Sequence, residues 1–321
     1  MESNNSWSTL FVAIKFVVCF FGIFLNGSVI FTICKNLRRS SPPCYLILSI
    51  AVSDFISCSV AIPISIAFHF QNQWPFGMDG CKAHAFMIFL LALVSITHLA
   101  VISVGKFLTI TRSLSRDSYF NKSTVLWIVL GSWTYSLVFS VPPLLGWSRF
   151  GLEGTNESCS IIWESKVLSD KVYFGVIFFA CYLLPITLIV FCYYKIHKVS
   201  SHIVDTTLRI NRVAMTMSEA LLKRHRKSAM YFLTIIAVFL LSWSPYAIVS
   251  FMTIFWGSVN PVATSACSVF AKTSFLLNPM LYAIVSRKFR RRMIQAIPIS
   301  RPNRVVVPAD AFHLTSEALA L

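Results

Sequence analysis

The chain is short of charge. Only 12% of its 321 residues are Asp, Glu, Lys or Arg and 56% are hydrophobic, which leaves too little polar surface to cover an ordinary soluble domain. Acidic residues are scarcer still, 12 against 28 basic ones. No repeat period joins one part of the chain to another, which argues against a solenoid or a propeller. No loop is long enough to hold a separate soluble domain. His69, His84 and His98 show no convincing ligand partners, so no metal site is expected. Residues 1–9 are polar and lack a basic n-region, so the first apolar stretch is expected to be an uncleaved span.

What the chain does have is seven long apolar stretches, at about 10–34, 44–68, 83–110, 125–145, 172–194, 229–255 and 262–285. Each is long enough to cross a bilayer with some tilt. The expected fold is an all-α membrane protein, a seven-transmembrane helix bundle forming a single domain over residues 1–321. Its net charge of +16 is unevenly placed, since 22 of the 28 basic residues fall on one side of this topology. Lys35, Arg38 and Arg39 follow the first span; Lys223, Arg224, Arg226 and Lys227 precede the sixth; Arg287 and Arg290 follow the seventh. The positive-inside rule puts the N-terminus outside and the C-terminus in the cytosol, with the plasma membrane as the expected location. Anionic lipid and a cytosolic partner, rather than nucleic acid, are the expected recipients of this charge.

The seventh stretch contains a single charged residue between Pro261 and Arg287, Lys272. An ammonium at that depth is expensive, and a residue that bears the cost is a functional hypothesis. Lys272 lies two turns before Pro279, about 10 Å along the axis, too far from either end to reach water easily. The neutral form of such an amine is a nucleophile toward aldehydes, giving a Schiff base. That chemistry suits a hydrophobic aldehyde. Seven residues after Lys272 comes the proline of Asn278-Pro279-Met280-Leu281-Tyr282, a run of the form NPxxY.

With this lysine and this motif at this spacing, the chain resembles the opsins, the retinal-binding branch of the rhodopsin-like G-protein-coupled receptors, over about residues 10–294. The resemblance implies that Lys272 carries retinal, 11-cis or all-trans, as a Schiff base, and that the protein senses light. A heterotrimeric G protein and arrestin are the implied partners at the cytoplasmic face. Visual opsins place the counterion glutamate three residues after the first conserved cysteine of the family, where this chain has His84. Glu153, six residues before Cys159, occupies a position that serves as counterion in many other opsins and is the candidate here, with Glu157 as the alternative. His84 is either a neutral pocket-lining hydrogen bonder or a titrating neighbour of the imine. Of nine cysteines only Cys81 and Cys159 fall on the outer, oxidising side. They are expected to pair, and the resemblance implies the same bond. In Trp243-Ser244-Pro245-Tyr246 the resemblance places Trp243 and Tyr246 beside the ligand and Pro245 at a hinge.

The activation machinery implied by the family is present in part. Asp54, expected to be buried near Asn26 and Asn278, either fixes helix register or switches. Tyr193, eight residues after Pro185, and Asn278, Pro279 and Tyr282 match the family's switch positions. Where the family usually has Asp/Glu-Arg-Tyr, the chain reads Gly105-Lys106-Phe107. Lys106 lacks arginine's planar bidentate fork, and the glutamate often found at the base of span six is absent, with His225 near its position. The ionic resting-state restraint is therefore expected to be lost. His84 and Gly105 also resemble the retinal photoisomerase branch, while 243–246 and 270–272 resemble other non-visual opsins. A signalling receptor is the first reading, because the NPxxY run is intact; an isomerase converting all-trans to 11-cis retinal is the alternative.

Three further expectations concern the ends. Asn4, in Asn4-Asn5-Ser6, is a glycosylation sequon on the outer side. Lys15 lies near the outer end of span one and is expected to snorkel to the interface without a function of its own. Residues 287–297 alternate basic and apolar as an interfacial amphipathic helix would, and the tail 298–321 is expected to be disordered.

Overall fold

The computed structural model describes residues 2–35, 42–71, 73–111, 121–210, 212–257 and 259–285, and the side chains of these apart from 2–5, 202–224 and 285. The side chain of Asn4, the amphipathic segment and the tail lie outside the described residues.

Apolar composition is realised as helix because lipid offers no partner for a backbone N–H or C=O. In chain order the spans are α1 (Glu2–Lys35); α2 (Pro43–Ile56) continued by α3 (Ile62–Gln71); α4 (Gly77–Thr111); α5 (Lys122–Ser140); α6 (Leu168–Ile177) continued by α7 (Leu184–Ile210); α8 (Arg212–Trp256); and α9 (Pro261–Lys272) continued by α10 (Ser274–Val285). Six of the seven are long and apolar enough as continuous helices to cross a membrane. The seventh is divided at Thr273 into two helices of 12 residues each. Neither half is long enough alone, and together they supply the crossing.

Proline explains most of the interruptions. A proline withholds one N–H and its ring displaces the carbonyl four residues earlier. The second and fifth spans each widen into a short π-helical turn, Ser57–Ala61 and Phe178–Leu183, just ahead of Pro63 and Pro185. Such a turn relieves the clash by inserting a residue. In the seventh span Pro279 frees the Phe275 carbonyl, and Asn26 Nδ2 on α1 donates to it at 2.9 Å. The same amide also holds Gly22 O at 3.0 Å. A buried asparagine thus satisfies an acceptor that the proline exposed.

The bundle is apolar outside as well as inside. Phe20, Trp127, Phe179 and Leu241 are 64–71% exposed, as lipid-facing side chains would be. Between helices, small hydroxyl residues let the backbones approach and return their O–H to the preceding turn. Ser103 donates to Leu99 O at 2.9 Å and Ser136 to Ser132 O at 2.8 Å.

Between α5 and α6 the chain forms an antiparallel hairpin, β1 (Phe150–Glu153) with β2 (Ser158–Ile161), in which Glu153 pairs with Ser158 and Leu152 with Cys159. The Cys81–Cys159 disulfide ties β2 to the start of α4. The hairpin turn also docks on α9. Gly154 has φ +59° and comes so close to Ser265 that a Cβ there would collide with it. Only glycine combines that φ with that approach. The Thr155 N–H then donates to Ser265 Oγ at 3.0 Å. The result is a lid fastened at two edges, by a covalent bond to α4 and by hydrogen bonds to α9.

Candidate functional site

Beneath the hairpin is a cavity lined from β1, β2, α4, α6, α8 and α9. Its walls are aromatic, with Phe89, Phe174, Phe178 and Phe239 on the sides, Trp163 above and Trp243 below. At one end Lys272 and Ser268 on α9, Glu153 on β1, Ser160 on β2 and Tyr246 on α8 supply polar groups. An apolar chamber with a few convergent polar groups at one end is the usual form of a small-molecule site.

Lys272 is buried, and its Nζ donates to Ser268 Oγ at 2.7 Å and to Ser158 Oγ at 3.0 Å. Ser268 lies one helical turn before Lys272, so the contact follows from the i, i+4 geometry of α9. It donates in turn to Glu153 Oε2 at 2.9 Å. The other carboxylate oxygen, Oε1, accepts from Tyr246 OH at 2.6 Å and from Ser160 Oγ at 2.8 Å, and Trp163 Nε1 donates to Tyr246 OH at 3.1 Å. Glu153 therefore stands one hydroxyl away from the lysine rather than in direct ion contact. A buried carboxylate with three hydroxyl donors has the partners it needs.

At this end the expectation for Lys15 is corrected, and of the two alternatives for His84 the pocket-lining one is not met. His84 is fully buried but does not line the cavity. Its Nδ1 is 2.8 Å from the Ala61 carbonyl and its ring packs on Trp74, which draw the imidazole toward the second span. Lys15 does not snorkel. It is only 2% exposed and donates from Nζ to the Glu157 backbone carbonyl at 3.2 Å. The hairpin brings a carbonyl within reach inside the bundle, so the ammonium finds a partner without leaving it. Glu157, the alternative counterion, makes its contact through that carbonyl, and its Oε2 has no hydrogen-bond partner among the described residues.

Below the cavity Trp243 Nε1 donates to Ser274 Oγ at 2.9 Å. Ser274 follows the break at Thr273, two residues beyond Lys272. The indole stacks on Phe239 and meets Phe275 edge-on. Deeper, Asp54 Oδ2 accepts from Asn278 Nδ2 at 2.9 Å and Oδ1 from Ser95 Oγ at 3.3 Å. Asn26 is not a partner of Asp54; the Phe275 carbonyl occupies it. Tyr282 is buried in the same core, 1% exposed.

At the opposite end of the bundle Lys106 has no ion pair among the described residues, and uncharged contacts hold it instead. Lys106 Nζ donates to Ser228 Oγ at 2.8 Å and lies 4.5 Å from the Phe232 ring centre. Tyr193 OH donates to Ala229 O at 3.0 Å. The third and fifth spans thus both grip the same stretch of α8, through the Ser228 hydroxyl, the Phe232 ring and the Ala229 carbonyl. Sequence reasoning passed over Ser228, Ser268, Ser158 and Ser274. Only Ser268 carried a signal, its spacing of four from Lys272.

Seven crossings around a lidded chamber, with a polar core running from it to the far end, have the architecture of a seven-transmembrane receptor. Residues 25–282 match the family described as 7 transmembrane receptor (rhodopsin family), and the chain belongs to that family. Its relatives there are opsins. It is 32% identical over 287 residues to melanopsin of Rattus norvegicus and 33% identical over 289 residues to melanopsin of Phodopus sungorus, covering 86% of this chain in each case. The chain spans about six tenths of the length of these melanopsins, 59% and 60%. A crystal structure of squid rhodopsin superposes with a TM-score of 0.82 at 27% identity, covering 91% of this chain and 86% of that one.

Proposed function

We propose that the protein is a light-sensing receptor that holds retinal covalently on Lys272 and signals to a heterotrimeric G protein from its cytoplasmic face. The observation that carries this reading is a buried primary amine at the polar end of an otherwise apolar, aromatic cavity. Such a chamber suits a long polyene, and the amine is the group that an aldehyde takes. The attachment forms a C=N bond between Nζ of Lys272 and the aldehyde carbon, with the carbonyl oxygen leaving as water. When bound, retinal supplies the absorption of light and the change of shape that follows.

The remaining work falls to the chain's own residues. Glu153 serves as the anion for a cationic nitrogen, acting through Ser268, and Tyr246 and Ser160 fix its orientation. The disulfide-tied hairpin excludes water from the chamber, which strengthens that interaction. Trp243 joins α8 to α10 through Ser274, so strain at Lys272 reaches both halves of the proline-containing sixth span. The two-state element is α8, with Pro245 inside it, and its far end is held by Lys106 and Tyr193. Release of that end opens the face where a G protein, and after it arrestin, would dock. The excess of basic residues on one side supports an orientation with the N-terminus outside and the lysine- and arginine-rich loops in the cytosol. Asp54, Asn278 and Tyr282 lie between the two ends and transmit the change.

The test is the absorption spectrum of purified protein incubated with 11-cis and, separately, all-trans retinal, before and after illumination, beside Lys272→Ala. A retinal band that Lys272→Ala abolishes, together with light-dependent nucleotide exchange on a G protein, is the expected outcome. A band that survives Lys272→Ala would overturn the covalent assignment. Turnover of all-trans retinal to free 11-cis product without nucleotide exchange would replace the receptor with an isomerase.

A further inference from the structure

Among the described residues two lysines are buried below a tenth of their surface, Lys272 and Lys15, and the reading above uses only one. They enter the site from opposite sides. Lys272 comes from the seventh span and donates to Ser158 Oγ; Lys15 comes from the first and donates to the carbonyl of Glu157, the preceding residue. Two ammoniums are thus held on consecutive residues of one hairpin, on the order of 10 Å apart or less by the reach of those contacts. In a water-poor interior neither salt nor solvent screens them at that range. Lys15 has Lys272, Glu157 and Glu153 as its electrostatic neighbours.

The surroundings hold two further groups with unspent capacity. Glu157 Oε2 and His84 Nε2 are buried and have no hydrogen-bond partner among the described residues. The titratable groups around Lys15 are Glu153 and Glu157 on the hairpin, Lys272 on α9 and His84 on α4, with Tyr246 on α8 reaching the cluster through Glu153. His69 on α3 is engaged nearer the end of α1, with its Nδ1 2.9 Å from Ser8 Oγ.

We propose that Lys15 is a charge-setting residue of the chromophore site, whose ammonium competes for the carboxylates of Glu153 and Glu157 and thereby weakens their hold on a proton at the Lys272 nitrogen. The inference rests on the retinal reading. It sets the balance between a pigment that absorbs in the visible, with a protonated nitrogen, and one that absorbs near the ultraviolet, without the proton. Position alone cannot do this: a residue that only pinned the hairpin through the Glu157 carbonyl would change stability and leave the charge balance where it was.

The test is a spectral titration of the purified, retinal-loaded full chain, following the visible band as it gives way to the near-ultraviolet band on raising the pH. Lys15→Met removes the charge and keeps the length of the side chain; it is expected to preserve the visible band to a pH higher by about one unit, roughly tenfold in proton concentration. Lys15→Arg is expected to titrate as the unmutated chain does. Glu157→Gln leaves the backbone carbonyl contact intact while removing a negative charge, and the visible band is expected to vanish at lower pH. Equal midpoints for Lys15→Met and the unmutated pigment, or equal shifts for Met and Arg, would overturn the inference. Should Lys15→Met fail to fold, an unmoved midpoint in Glu157→Gln would overturn it alone. If the unmutated chain forms no Lys272-dependent pigment, it is the retinal reading that fails, and the inference falls with it.

Discussion

Lys272 and Lys106 solve the same problem at opposite ends of the bundle. Each is a lysine drawn into the protein from an apolar span, and each donates to a serine hydroxyl, at 2.7 Å and 2.8 Å. The hydroxyl leads on to different things. At the hairpin end Ser268 passes the contact to the Glu153 carboxylate. At the far end no hydrogen-bonded chain from Ser228 to a carboxylate is present among the described residues, and the ring of Phe232 supplies the remaining electrostatic partner. The first lysine is fully enclosed and needs an anion; the second is half-buried, and water can still share its charge. The enclosed charge is therefore answered by a carboxylate, and the half-buried one by weaker contacts.

That contrast orders the expected effects. The largest belongs to Glu153→Ala, which leaves the buried lysine without its anion and three hydroxyls without their acceptor. Unfolding measurements on the apoprotein are expected to lose about 3 kcal/mol, and the retinal-loaded variant is expected to absorb near the ultraviolet at neutral pH. Ser268→Ala cuts the bridge but keeps the charge, so a smaller loss of about 1–2 kcal/mol and a partial spectral change in the same direction are expected. Lys106→Met removes the far tether. The expected cost is about 1 kcal/mol in the resting state, read as nucleotide exchange in the dark that rises about fivefold. Phe232→Leu is expected to do the same more weakly, by about 0.5 kcal/mol. If Lys106→Met proved as destabilising as Glu153→Ala, the two ends would be equally locked and the contrast would be void.

Much of this was legible in the sequence, and the reason differs from place to place. The seven crossings follow from hydropathy because a bilayer tolerates no unsatisfied backbone, so a long apolar segment has one conformation available. Lys272 was legible because a charge in such a segment stands out against its neighbours. Ser268 was within reach of the same reasoning through helical spacing. Lys15, His84 and Lys106 were not. Each is a long or two-faced side chain whose partner comes from a segment distant in sequence, Glu157 for Lys15, Ala61 for His84 and Ser228 for Lys106. Asn26 was placed in the right region and given the wrong partner, because the carbonyl it satisfies is exposed by a proline in another span.

The sequence by itself determined how many times the chain crosses, which crossing carries the reactive amine and which cysteines can meet, since these depend on composition along one dimension. Only the tertiary structure decided which carboxylate answers that amine, that Lys15 turns inward beside it, and what holds Lys106. Those outcomes depend on how far each helix is rotated about its own axis and on where the hairpin settles over the cavity. Packing against neighbouring helices sets those rotations, and an apolar helix in lipid carries little along its own sequence to fix them.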